Sequence, residues 1–246
     1  MDKNSNKKIA ILFFGLTRSL RKYTLENIEK HIFQVLKDNN IEYDIYLHTY
    51  DLKFLTNKRS KEINEELDTE EWKLLNPDYY KITSQEEFDK TFNLKDYTKC
   101  GDPWRDKFNS LTNLIRQLNS LKEVTSLLQF DKNYNGYLYL RPDILYKERI
   151  KIKDLEGLLA EDQNNKVIYT PKWATNKGFN DRCYMGTKEA IKIVGNRFDL
   201  LKEYSQTRTP HAEKFLHNTI ISNGIENRHF YIYGDRVRAN GIIKIR

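Results

Sequence analysis

The first strong hydrophobic signal is the run Ile9-Ala10-Ile11-Leu12-Phe13-Phe14, which stops at Gly15. A short, unbroken apolar run predicts a strand covered on both faces, as in a parallel sheet. The loop Gly15-Leu16-Thr17-Arg18 follows. Leu25, Ile28, Ile32 and the Val35/Leu36 pair then recur at helical spacing from about Thr24 to Lys37. Tyr43 to Tyr50, aromatic and β-branched, predicts a second strand and completes a βαβ unit. From Asp51 to Glu71 the chain is charged and weakly periodic. This predicts a surface excursion, partly helical, that closes at Trp72 and stops near Asn76-Pro77.

A short strand at Tyr79 to Ile82 and a capping-box start at Ser84 to Glu87 come next. The clearest helix is predicted over Phe108 to Leu128. Leu111, Leu114, Ile115, Leu118, Leu121 and Leu128 hold its inner face, and Asn109, Asn113, Arg116 and Ser120 the other. Tyr137 to Leu140 reads as a strand halted at Arg141-Pro142-Asp143, where proline withdraws a ladder donor. Further strands are predicted at Lys166 to Thr170, around Arg182 to Met185 and at His229 to Tyr233, with helices from about Thr187 and His211. No fixed-period repeat appears. The succession predicts an α/β fold, a mainly parallel, Rossmann-like central sheet flanked by helices, in a single domain over residues 1–246.

Composition narrows the class. Hydrophobic residues are 39% and charged residues 31% of the chain, a globular balance rather than a disordered one. The net charge of +7 suits nucleic acid, a membrane surface or a diphosphate ligand equally, because Lys and Arg are interspersed with Asp and Glu. Cys100 and Cys183 are far apart and lack metal-ligand spacing, which excludes a disulfide framework and a structural zinc and suggests a reducing compartment. Met1 to Lys8 is polar and meets an apolar run too short for a signal-peptide core or an integral membrane span, so a cytoplasmic protein is expected.

In open α/β sheets ligands bind beyond the carboxyl ends of the strands, so polar residues just after strands are the candidates. Gly15, Thr17 and Arg18 can present amides and a guanidinium to a nucleotide, although a plain βα turn accounts for them too. His48 and Tyr50 put two rings at the mouth of the next strand, either for stacking on a base or as a half-buried strand end. Asp143 is the strongest candidate. A carboxylate at the end of a hydrophobic strand can hold Mg²⁺ or Mn²⁺ against a diphosphate, though it can also be a turn former. Asn180 and Asp181 can grip sugar hydroxyls or form an Asx-type turn with Arg182 as ion partner. Glu213 falls in the first turn of a late helix, where the helix dipole alone would explain a carboxylate. The chain has no GxxxxGK[ST] loop, full GxGxxG, GxSxG elbow or HExxH motif.

Taken in order, Ile11 to Arg18, Tyr46 to Tyr50, Leu114 to Lys122 and Leu140-Arg141-Pro142-Asp143 form a set with Asn180-Asp181-Arg182, Ala212 to Leu216 and Arg236 to Ala239. That set resembles GT-A-fold glycosyltransferases of large DNA viruses and of polysaccharide-making bacteria, over nearly the whole chain and through short motifs. The resemblance implies a GT-A-like fold with a nucleotide-binding N-terminal half and an acceptor-binding C-terminal half. It implies transfer of a sugar from a UDP-sugar, or a GDP-sugar, to a glycan or other hydroxyl acceptor, in the host cytoplasm if the source is viral.

The same resemblance implies donor contacts from Gly15, Thr17, Arg18, His48, Tyr50, Asn113, Arg116, Arg141, Asn180 and Arg182, and a Mn²⁺ or Mg²⁺ ion on Asp143. Glu213 would be the base, with Asp181 its competitor. The chain departs from the Asp-x-Asp pattern, since Arg141 stands in the first acidic position and can itself neutralise a diphosphate. On this reading Asp143→Ala abolishes donor hydrolysis and leaves the thermal melt nearly intact. Two rival expectations are a basic, aromatic-rich nucleic-acid-binding protein and a catalytically inactive GT-A scaffold; with no RNP-like pair or basic arm, no nucleic-acid partner is expected.

Overall fold

Alternate residues of β1 (Lys8–Phe14) feed two different cores. Ile9, Ile11 and Phe13 pack on one side, and Ala10, Leu12 and Phe14 on the other. The computed structural model describes residues 7–244. Most of the polar leader Met1 to Lys8 therefore lies outside the described residues.

The sheet around β1 has seven strands. In chain order they are β1, β2 (Glu42–Asp51), β5 (Tyr79–Ser84), β6 (Gly136–Leu140), β8 (Val167–Pro171), β9 (Cys183–Gly186) and β10 (Glu226–Phe230), arranged β10-β8-β9-β6-β1-β2-β5. β9 runs antiparallel to both its neighbours, and the other pairings are parallel. The expected mainly parallel α/β architecture is therefore present. On one face lie the helical turns of residues 20–38, with Trp72 and Leu75. On the other lies the Asn109–Ser126 helix, whose Leu111, Leu114, Ile115, Leu118, Leu121 and Val124 are buried. Ser84 caps the next helix by accepting from the Glu87 amide, as the capping-box spacing requires.

Three expectations are corrected. The excursion after β2 is not helical at first. It is a hairpin, β3 (Phe54–Asn57) against β4 (Glu62–Glu66), whose solvent-facing strands carry no apolar stripe to announce them. The last predicted strand is displaced to Glu226–Phe230, followed by β11 (Gly234–Val237), which joins β7 (Ile144–Tyr146) and β12 (Ile243–Lys244) in a small separate sheet. Ser120, assigned to the outer face of the long helix, is fully buried against the ends of β1 and β2. Among the described residues no helix is long and apolar enough to cross a membrane.

Candidate active site

Parallel strands deliver their carboxyl ends to one edge of the sheet, and the antiparallel β9 delivers its amino end there too. That edge therefore gathers Gly15, Tyr50, Gln85, Arg141 and the Asp181-Arg182 pair. The hairpin β3–β4 and the start of the Ala212–Ser222 helix wall it in. The result is a cleft of about 770 Å³ with a smaller recess of about 100 Å³ beside it, sharing Asn57, Asn113, Gln117, Arg236 and Arg238 in their linings. The larger volume lies in the range of small-molecule sites. Two residues of its lining, Lys61 and Asn176, have left-handed backbone, with φ of +59° and +44°.

Asp143 sits beneath the cleft wall, fully buried. Its carboxylate accepts from Arg141 Nε at 2.8 Å, Arg141 Nη2 at 2.7 Å and Arg18 Nη2 at 2.8 Å, with Arg236 Nε at 4.0 Å. Burial pushes the carboxyl up, but Arg141, Arg18 and Arg236 outweigh it and hold it far below the carboxylate range. A divalent cation needs several free oxygen ligands. Asp143 has guanidiniums on both oxygens and lines neither cavity, and among the described residues no three His, Cys, Asp or Glu side chains gather to hold a metal. The residues present do not fit the expected Mn²⁺ or Mg²⁺ at this position. Replacing Asp143 by alanine would also strand buried guanidiniums, so an intact melt is no longer the expectation.

The charge that faces the cleft is positive instead. Arg236 is one-fifth exposed, and its Nε has no hydrogen-bond partner. Burial, then Arg141 and Arg182, push Arg236 well below the usual arginine range. Burial, then Arg18, lower Arg238 to about 10. Burial is the larger cause of both shifts and the neighbouring guanidiniums add to it, so an anion bound beside them would stabilise their charged form. Arg236 lies in β11 and Arg238 just follows it; the Val237 amide donates to Asp143 O at 2.9 Å and so fixes the strand over the 141–143 turn.

Two carboxylates enter the same cleft. Asp181 is 2% exposed; its Oδ2 accepts from Gln117 Nε2 at 2.7 Å and its Oδ1 has no hydrogen-bond partner. Burial raises its pKa, but Arg182 and Arg236 lower it further, so it is ionised. Glu213 Oε1 accepts from Asn176 Nδ2 at 2.6 Å and Arg182 Nη2 at 3.2 Å, and His211 Nδ1 stands 3.1 Å from Oε2. Gly178 permits this assembly: a β-carbon there would come within 2.1 Å of Glu213 O. Asn180 is not in the cleft lining. It clips its own loop, donating to Trp173 O and accepting from the amides of Arg182 and Cys183.

Other expected contacts are turned inward. His48 is fully buried between Ser120 Oγ at 2.8 Å and Thr83 Oγ1 at 2.9 Å, and burial, with Lys81, lowers its pKa to about 3. It is a neutral structural imidazole outside both cavities. The Gly15 amide is engaged by Ser120 Oγ at 2.8 Å, so it is not offered to a phosphate; glycine is needed there because φ is +96°. Tyr50 borders the recess, but its hydroxyl donates to Arg116 O and accepts from Asn119. Arg116 borders it too, paired through two nitrogens with Asp89. Thr17 is buried and lines neither cavity.

Sequence reasoning did not assign Gln117, Arg236, Arg238, His211 or Trp104 to the site. One signal was available: Arg236 and Arg238 flank Val237 at period two, the spacing that puts two side chains on one side of an extended chain.

No family model and no curated protein matches the chain. Among solved structures it is similar to the apo form of the glycosyltransferase GlyE of Streptococcus pneumoniae TIGR4, at 12% identity and a TM-score of 0.45, over 90% of this chain and 45% of that one. It is also similar to the galactosyltransferase LgtC in complex with donor and acceptor sugar analogs, at 12% identity and a TM-score of 0.41, over 89% and 72% of the two chains. A third is mouse xyloside xylosyltransferase 1 in its apo form, at 13% identity and a TM-score of 0.42, over 91% and 84%. The chain thus spans less than half the length of GlyE.

Proposed function

We propose that this chain is a nucleotide-sugar-dependent glycosyltransferase in which guanidinium groups, rather than a metal on an Asp-x-Asp pair, meet the donor diphosphate. The observation that carries the reading is one cleft, at the carboxyl edge of a mainly parallel sheet, that joins a cluster of arginines to two carboxylates. An anion and a hydroxylated ring are the complementary ligand chemistry.

On this reading the whole chain is one GT-A-like domain. Its recess beside Gly15, Arg18 and Arg116 takes the nucleoside, and the larger cleft takes the sugar and the acceptor. Arg236 and Arg238, backed by Arg141, receive the charge that develops on the leaving diphosphate. Asp181, ionised and with Oδ1 unpaired, grips a sugar hydroxyl and stabilises positive charge at the anomeric carbon. A UDP-sugar is favoured over a GDP-sugar, with a glycan acceptor.

The test is release of nucleoside diphosphate from UDP-glucose, UDP-galactose, UDP-N-acetylglucosamine and GDP-mannose, in EDTA and in Mn²⁺. Turnover of at least one donor is expected without added metal, falling on the order of 10²-fold in Asp181→Asn. Nucleotide binding with no turnover of any donor would indicate an inactive scaffold. The absence of both would remove the assignment.

A further inference from the structure

His211 occupies the N-cap of the Ala212–Ser222 helix, yet its side chain caps nothing. Histidine is not among the residues favoured there, so helix formation does not explain it. The ring lines the large cleft and lies nearly parallel to Trp104, with centroids 5.4 Å apart and planes at 21°. Nδ1 is buried, 3.1 Å from Glu213 Oε2 but without an aligned hydrogen bond, which leaves Nε2 as the ring nitrogen for a ligand. Glu213 is poorly placed to touch an acceptor itself. Its side chain is 5% exposed, and Asn176 and Arg182 hold Oε1.

Resting on the glycosyltransferase reading, we propose that His211 is the base that takes the proton of the acceptor hydroxyl, that Glu213 is its positioning residue, and that Trp104 beside it is the platform for an acceptor sugar ring. Aromatic faces suit the apolar faces of pyranose rings, and an imidazole backed by a carboxylate is oriented as an acceptor through one nitrogen. In the step, the Nε2 lone pair removes the hydroxyl proton and the oxygen's electron pair forms the new bond to the anomeric carbon. The bond from that carbon to the diphosphate oxygen breaks, and its electron pair leaves on the nucleoside diphosphate. The imidazolium charge is balanced by Glu213 until the proton passes to solvent. Apo hydrogen bonds of this kind are often misaligned and tighten when substrate binds.

The probe is hydrolysis of UDP-galactose, UDP-glucose and GDP-mannose, with water standing in for the acceptor hydroxyl, by wild type, His211→Phe and His211→Ala. Phenylalanine keeps the stack on Trp104 and removes only the nitrogens. Both variants are expected to lose about 10²-fold or more in diphosphate release while UDP binding by calorimetry stays within about twofold. Added imidazole should restore His211→Ala and leave His211→Phe unchanged. If wild type turns over and His211→Phe keeps its rate, or if imidazole restores nothing to His211→Ala, His211 is packing and the proposal falls while the function stands. If wild type neither binds nucleotide nor hydrolyses any donor, the functional reading falls and the proposal with it.

Discussion

Asp143 shows how one residue's surroundings decide its role. It follows a hydrophobic strand, as the chain pattern indicated, but its oxygens are enclosed by Arg18 and Arg141. Asp143→Asn should therefore cost about 3–5 kcal/mol in denaturant unfolding, because it leaves buried guanidiniums without their counter-charge. His48 gives a pH signature. Its pKa falls from 6.5 to about 3 on folding, so the unfolded chain takes up a proton in that window and the folded one does not. Stability should accordingly be flat above about pH 6.5 and decline as pH falls toward 3, by on the order of several kcal/mol. His48→Gln should flatten the decline between pH 6.5 and 5, measured by unfolding across pH, before the carboxylates begin to titrate. The His48 environment could not be read from sequence, since its partners Ser120 and Thr83 lie 72 and 35 residues away.

Elements with an apolar rhythm were legible: β1, β2, β6 and the long helix fall where their hydrophobic spacing put them. The β3–β4 hairpin was not, because its strands mostly face solvent and its buried positions are the apolar Leu55 and the charged Glu62, with no alternating stripe between them. Glu62 is fully buried, pairing with Arg18 at 3.2 Å and accepting from the Ala239 amide at 2.9 Å, and so ties the hairpin to the cleft wall. Glu62→Gln should loosen that tie by about 1.5–3 kcal/mol. The readout is trypsin cleavage at residues 58–61, expected to accelerate roughly tenfold or more. The loop after β8 has its own anchor. Gly178→Ala sets a methyl against the Glu213 backbone, and the strain of at least about 1–3 kcal/mol should lower both the melting temperature and turnover.

For the molecule as a whole, the sheet was readable and the site only in part. Strand ends put Arg18 and Arg141 at one edge, because open α/β sheets collect them there, whereas Asp181 precedes β9, whose antiparallel course brings its amino end to the same edge. Arg236 arrives from a small second sheet, with Arg238 just beyond it, and the strands of that sheet are too short to carry a hydrophobic pattern, so the charge was visible and its place was not. That placement makes an arginine-built anion site. The decisive measurement is calorimetric titration of UDP, GDP and dTDP into wild type and Arg236→Gln, first in EDTA and then in Mn²⁺. Binding of at least one nucleotide in EDTA is expected, weakened on the order of tenfold or more by Arg236→Gln. Binding that appears only with Mn²⁺, or that is indifferent to Arg236, would rule out an anion site built from these arginines.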